Sequence, residues 1–448
     1  MMKARVMRPF LVSAGTFILV FTGACSDRNS QPEPGGDETG AVESAARADA
    51  AAAEGEPKAT PEEAAARTAL EWGFKFATAI PVEPHVVDRS RSQHDVLRTA
   101  LALELPAFAA DRAKEIDNWR RGVVLAELAV DFAKRDRPED ATQYLTLARN
   151  FRDTTGGWQR DRITAHIARA QTFVGETESA LRSLEELPPE EAIKAQSARL
   201  STLTAQDFDK ALKILDRLSE AKQMEVKRGA ATTYIRLLRE LGDDATTERC
   251  QTIKSRVEAV AKTLPALVQQ EMRCSLARTF FAVGRDDLAV AVVEKAEQLL
   301  REREKNARFD VAEYVDLVRV WCEAGNQPSR AAPLLQEAAR LLEGSDLRFF
   351  DQVSARVALA SGYAVYGDKD AAWTHFRRAL RDALGQQNAR PRSMAVVEIS
   401  CALARSGLAV WTVEYRRLGH AGGGWTGTFD DVVRGMNHLR ALAEEHAL

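Results

Sequence analysis

The sequence predicts an all-α protein in which consecutive helix–turn–helix hairpins stack into an α-solenoid. Composition is the first reason. Ala, Leu, Glu and Arg dominate, while Pro and Gly number only 15 and 26 in 448 residues, so helix breakers are scarce enough for long helical stretches. The second reason is self-similarity. Turn-forming residues recur at Asp136, Gly175, Gln206, Gly242, Gly284, Gly325, Gly367 and Gly407, spaced by 31 to 42 residues, and each sits between apolar stretches of helical period. The third is the stretch from Arg273 to Leu300. Leu276, Ala277 and Phe280 precede Gly284 and Ala289 follows it, so small residues let two helices approach, large ones fill the groove, and glycine opens the turn.

In chain order, residues 1–24 come first. Lys3, Arg5 and Arg8 precede an apolar run from Phe10 to Phe21, followed by Thr22-Gly23-Ala24-Cys25. A charged start, a twelve-residue apolar run and small residues before a cleavage point form a signal peptide, too short to span a bilayer. Cysteine directly after Gly-Ala resembles the lipobox of bacterial lipoproteins, with Thr22 where that pattern usually has an aliphatic residue. The resemblance implies that Cys25 is acylated and becomes the mature N-terminus, anchored firmly because each buried CH₂ contributes about 0.8 kcal/mol. Ser26 rather than Asp after the cysteine implies, by the same resemblance, the outer membrane of a bacterial cell envelope, facing the periplasm. Residues 25–60 are Pro, Gly, Ala, Ser and acids with almost nothing large and apolar, which predicts a disordered acidic tether.

Residues 61–118 are expected to be helical. Thr60 serves as N-cap, Pro61 takes the first helical position, and Glu62 and Glu63 suit the first turn. Pro81 and Pro84 end that helix, and Pro106 interrupts the next; this stretch does not fall into the repeat frame. The frame becomes regular over residues 119–415. With the turn residue as zero, position −8 carries Leu128, Ile167, Tyr234, Leu276, Leu317, Leu359 and Ile399, and position −4 carries Phe132, Gln171, Leu238, Phe280, Trp321, Tyr363 and Leu403. Ala129, Ala168, Ala277 and Ala360 stand at −7; Ala141, Ala180, Ala211, Ala289 and Ala372 stand at +5, and Ala331 at +6. This pattern resembles the tetratricopeptide repeat, most closely around Gly367, where Phe376 and Ala379 match its second helix. The pitch here is longer, the proline that closes each family repeat is mostly missing, and the Gln206 hairpin lacks a convincing first helix. The resemblance implies a right-handed solenoid that binds a protein or peptide in its concave groove. Residues 416–448 hold a glycine-rich loop and a last helix from Phe429, expected to cap the array.

Four arginines stand at −6: Arg169, Arg236, Arg278 and Arg319. The family's groove faces this position, so the resemblance implies a guanidinium ladder suited to an acidic peptide, a C-terminal carboxylate or an anionic glycan. The same residues fit equally as solvated arginines paired with acids, since arginine outnumbers lysine 47 to 15. Trp158 and Trp425, each after Gly-Gly, are candidate aromatic contacts, or plugs at helix ends. Cys250 and Cys274 lie about equally far from the turn near Pro265, placing them to form a disulfide or to serve as small buried residues. No two cysteines or histidines share metal-ligand spacing, and no phosphate loop, metalloprotease helix or nucleophile elbow occurs. No metal, cofactor or catalytic set is therefore expected. Beyond residue 66 the charges nearly balance, which argues against nucleic-acid binding. The expected function is a lipid-anchored envelope scaffold holding a protein or peptide; the alternative is a glycan- or substrate-binding component, and then an enzyme using residues 85–120 or 416–448.

Overall fold

The computed structural model describes residues 19–21, 60–185, 187, 208–408 and 411–413. Cys25, most of the signal peptide, the tether, Gln206, Trp425 and the expected capping helix lie outside the described residues. Two units divide the chain: residues 70–406, and a second made of residues 1–69 with 407–448. In the second unit, β1 (Leu19–Phe21) and β2 (Trp411–Val413) pair in parallel with Leu19 opposite Trp411. Apart from that three-residue pair, the described elements are helical.

Among the described residues seventeen α-helices follow one another. They are α1 Pro61–Thr78, α2 Val82–Ala102, α3 Pro106–Ala113, α4 Arg120–Lys134, α5 Pro138–Asp153, α6 Gly157–Phe173, α7 Thr177–Glu185 and α8 Phe208–Ser219. After these come α9 Met224–Leu241, α10 Thr247–Ala261, α11 Ala266–Ala282, α12 Asp286–Glu302, α13 Ala307–Arg319, α14 Pro328–Glu343, α15 Phe349–Tyr366, α16 Lys369–Gly385 and α17 Ala389–Arg405. The Thr60 hydroxyl accepts the Glu63 amide at 3.1 Å, so α1 starts as its N-cap predicts.

Burial separates the two helices of each hairpin. In α4, Val123, Leu125, Ala126, Leu128, Ala129, Val130 and Phe132 are all buried, a spread that covers most of the helix circumference. In α5 only Ala141, Leu145 and Ala148 are buried, a single stripe at helical spacing. The first helix packs against its own partner and against the first helices on either side. The second packs on one side only. Contacts between first helices run α2–α4–α6 and α9–α11–α13–α15–α17.

Each turn is closed in the same way. The residue at zero has positive φ: Asp136, Gly175, Gly242, Gly284, Gly367 and Gly407. In most hairpins the amide at +1 then donates to the carbonyl at −4, as in Arg137 to Phe132 at 3.0 Å, Glu176 to Gln171 at 2.8 Å, Arg285 to Phe280 at 2.8 Å and Asp368 to Tyr363 at 3.0 Å. This is the bond that satisfies the last carbonyls of a helix when its terminal residue turns left-handed. Two positions depart from the sequence frame. Glu104 also has positive φ and Leu105 donates to Ala100 at 2.9 Å, so α2 and α3 form a further hairpin, with Val96, Leu97, Ala100 and Ala109 buried at −8, −7, −4 and +5. At the sixth sequence turn, positive φ falls on Asn326 rather than Gly325. Val320–Ala324 form a π-turn there, with Gly325 donating to Val320 at 2.9 Å. That wider turn absorbs one extra residue and accounts for Ala331 standing at +6 instead of +5.

The two runs of first helices also meet: α17 packs against α2. Arg405 donates to the Thr99 hydroxyl at 2.7 Å, and Arg390 reaches Asp88 at 3.0 Å. A side chain at Gly73 of α1 would come within 2.8 Å of the Ser400 Cβ, so α1 approaches α17 at a distance only glycine permits. α17 is thus flanked by α2 and by the Gly73 region of α1.

Candidate functional site

Positions −6 and −9 are one helical turn apart and share a face of each first helix. The four arginines named from the sequence occupy −6, and α2 adds Arg98 at the same position before Glu104. Arg98 and Arg169 are exposed; Arg236, Arg278 and Arg319 are half-buried. One turn earlier, at −9, stand Asp95, Glu127, His166, Asp316 and Glu398. The face therefore carries both signs of charge rather than a ladder of arginines alone. Arg236 pairs with Glu240 four residues on, and Arg278 donates to the Asp316 carbonyl at 3.4 Å. Burial pushes the Asp316 carboxyl above its ordinary range, against the opposing pull of Arg319 and Arg278. Burial likewise raises Glu398, although the Ser354 hydroxyl donates to it at 2.8 Å. The acids at −9 were legible in the same frame as the arginines; a search for one sign of charge passes over them.

The densest part of this face spans α2, α4 and α6. His94 Nε2 lies 2.8 Å from Glu127 Oε2, and Arg120 Nη1 lies 3.4 Å from His94 Nδ1. Because a guanidinium only donates, Nδ1 accepts and Nε2 carries the proton that Glu127 receives. His166 Nδ1 approaches the other Glu127 oxygen at 3.8 Å. Burial raises the Glu127 carboxyl, but the hydrogen bond from His94 outweighs it, with Arg98 adding to the shift, leaving the group below its usual range. Burial drives the His166 imidazole down to about 4, with Glu127 opposing and His94, Arg169 and Arg162 adding to the shift. Arg120 also stacks over Trp119 at 4.8 Å, and Trp119 meets Trp158 edge-on at 5.3 Å. Trp158, singled out from its glycines, is 59% exposed. The structure thus links it to the cluster through Trp119 and Arg120, three residues that chain spacing alone does not connect to α2.

Cys250 and Cys274 are free thiols, so the structure does not form the bridge considered from the sequence. They face different neighbours. Cys250 points its thiol at the Ala245 carbonyl at 3.6 Å, beside Arg285, whereas Cys274 faces Asp316 and Glu313 of α13. Burial raises both thiols, Cys274 to about 12, which makes both unreactive. Unfolding the non-reduced chain is expected to release Cys250, Cys274, Cys322 and Cys401 together to a thiol reagent, with Cys322 alone of these four reacting in the native protein. A count lower by two would mean a bridge.

Among the described residues no group of three or more His, Cys, Asp or Glu has metal-holding geometry, and no helix is long and apolar enough to cross a membrane. The chain matches no known protein family and no curated protein. Among solved structures it is similar to Ton1535 from Thermococcus onnurineus NA1, at 15% identity over 70% of this chain and 91% of that one, with a TM-score of 0.24. Likeness at that level informs neither fold nor function.

Proposed function

We propose that the protein is a binding scaffold of the bacterial envelope, lipid-anchored through Cys25, whose helical hairpins form a right-handed, tetratricopeptide-like solenoid. Its working surface is the charged face of the first helices. The observation that supports this reading is the register itself: arginine recurs at −6 in α2, α6, α9, α11 and α13, and titratable groups recur one turn away at −9. Structural packing alone does not require charge at fixed positions of the innermost helices, since burying charge is costly. A polypeptide with its own charged side chains suits such a face better than a uniformly acidic one, because Glu240 stands beside Arg236 and Asp316 beside Arg278 and Arg319 to repel added negative charge. The test is affinity capture from detergent-solubilised envelope, comparing the full chain with a variant carrying Arg169, Arg236, Arg278 and Arg319 as Gln. A partner retained by the native chain and lost by the variant is the expected result. A partner retained equally by both removes the arginine face from the binding surface.

A second reading, a glycan- or substrate-binding component, is favoured by one observation: the exposed indole of Trp158 beside an arginine-rich cluster.

A further inference from the structure

We propose that Arg120, flanked by Arg91, Arg98 and Arg162, forms a binding site for the oxyanion of a small acidic ligand, with Trp158 and Trp119 beside it as a ring-contacting wall. This goes beyond the scaffold reading and stands without it.

The local charge balance is the first ground. Arg91 and Arg162 stand close enough to Arg120 to act on its charge, with Asp95 and Glu127 the acids that act on it. Glu127 is already engaged, since one oxygen takes the His94 proton and the other faces His166. Asp95 is exposed on α2. The second ground is Arg120 itself. Its one side-chain hydrogen bond goes to a neutral acceptor, His94 Nδ1 at 3.4 Å, and its Nε is buried without an acceptor. Burial and the like charges of Arg91 and Arg162 disfavour its cation, against the pull of Asp95 and Glu127. A half-buried guanidinium with no carboxylate hydrogen-bonded to it is stabilised by an anion that enters. The third ground is the wall. The Trp119 ring holds the Arg120 guanidinium at 4.8 Å and leaves Trp158, its edge-on neighbour, largely exposed. An indole beside a cation suits a ligand with both a ring face and an acid group. His94 serves as a positioning residue: its Nδ1 accepts from Arg120 while its Nε2–H donates a hydrogen bond to Glu127.

The indoles at the site provide the readout. The full chain would be titrated with glucose, glucuronate and glucose 6-phosphate, one ring carrying no charge, a carboxylate or a phosphate, following tryptophan fluorescence and calorimetric heat. Binding of one or both charged sugars, with glucose at least about tenfold weaker, is the expected result. Glucuronate alone would identify a carboxylate site, and the phosphate ester alone a phosphate site. Arg120→Met should abolish the response. Arg91→Gln, on an exposed residue whose loss leaves the core intact, should weaken it severalfold and reduce its salt sensitivity. Equal binding of all three sugars, no binding of any, or unchanged binding in Arg91→Gln together with a folded Arg120→Met would overturn the assignment.

Discussion

Arg303→Met is expected to cost about 3–5 kcal/mol of stability at neutral pH, the largest loss from any single charge in the array. Arg303 lies between α12 and α13 and pairs with Asp310. Its Nη2 also lies 3.0 Å from Glu313 Oε1. Asp310 is fully buried and Glu313 is 2% exposed. Asp310 has further help from the Asn306 amide at 2.8 Å. Both Glu313 oxygens lack an aligned hydrogen bond, so its contact with Arg303 is one of charge. Removing the guanidinium leaves two buried carboxylates with no cation in reach. Burial already raises Glu313 despite Arg303, and without the cation it rises further. The sign follows: an acid whose folded pKa is raised binds protons more tightly in the fold, so its penalty is absent below the unfolded pKa and grows as pH rises through the folded one. The deficit of Arg303→Met should therefore be largest near neutrality and shrink as pH falls toward about 4. Adding Glu313→Gln should restore part of it. Urea unfolding followed by circular dichroism at several pH values measures this, and a deficit independent of pH would contradict it.

Trp321→Ala is expected to cost about 3–5 kcal/mol, by loss of transfer free energy and the cavity left behind. Trp321 has no exposed surface. Its indole N–H donates to Glu297 at 2.6 Å, the Arg330 guanidinium sits 4.7 Å above the ring, and Phe281 meets it at 6.4 Å. One side chain thus ties the π-turn to α11, α12 and α14. Trp321→Phe keeps most of the apolar contact and loses the hydrogen bond to a charged group, so its cost should be smaller, about 1.5–3 kcal/mol. Equal losses for Phe and Ala would mean that the hydrogen bond, rather than the packing, dominates.

The hairpins were legible because their determinants are local. Leu276, Ala277 and Phe280 before Gly284 carry the whole instruction for one turn, and the structure repeats it at Gly175 and Gly367. Glu104 escaped notice because the eye looks for glycine or asparagine where φ is positive, and a glutamate there hides the α2–α3 hairpin. Asn326 was displaced by one for a different reason. A π-turn leaves no compositional mark beyond an alanine arriving one residue late, at Ala331. The candidate site was legible only in fragments. The −6 arginines share one frame, so they could be found together. His94, Arg120, Glu127 and His166 meet because α2, α4 and α6 lie side by side, and no spacing within one helix announces that. The contact of α17 with α2 was hidden more deeply still, since Asp88 and Arg390 stand at opposite ends of the array.

That contact bounds the charged face of the first helices, and one distance tests it. Cysteines in place of Asp88 and Arg390, with Cys322→Ser to remove the partly exposed native thiol, would carry spin labels for a pulsed electron-spin distance measurement. A single short and narrow distance is predicted, because α2 and α17 are packed neighbours. A broad distribution reaching long distances would contradict the α2–α17 contact and leave the two runs of first helices unjoined.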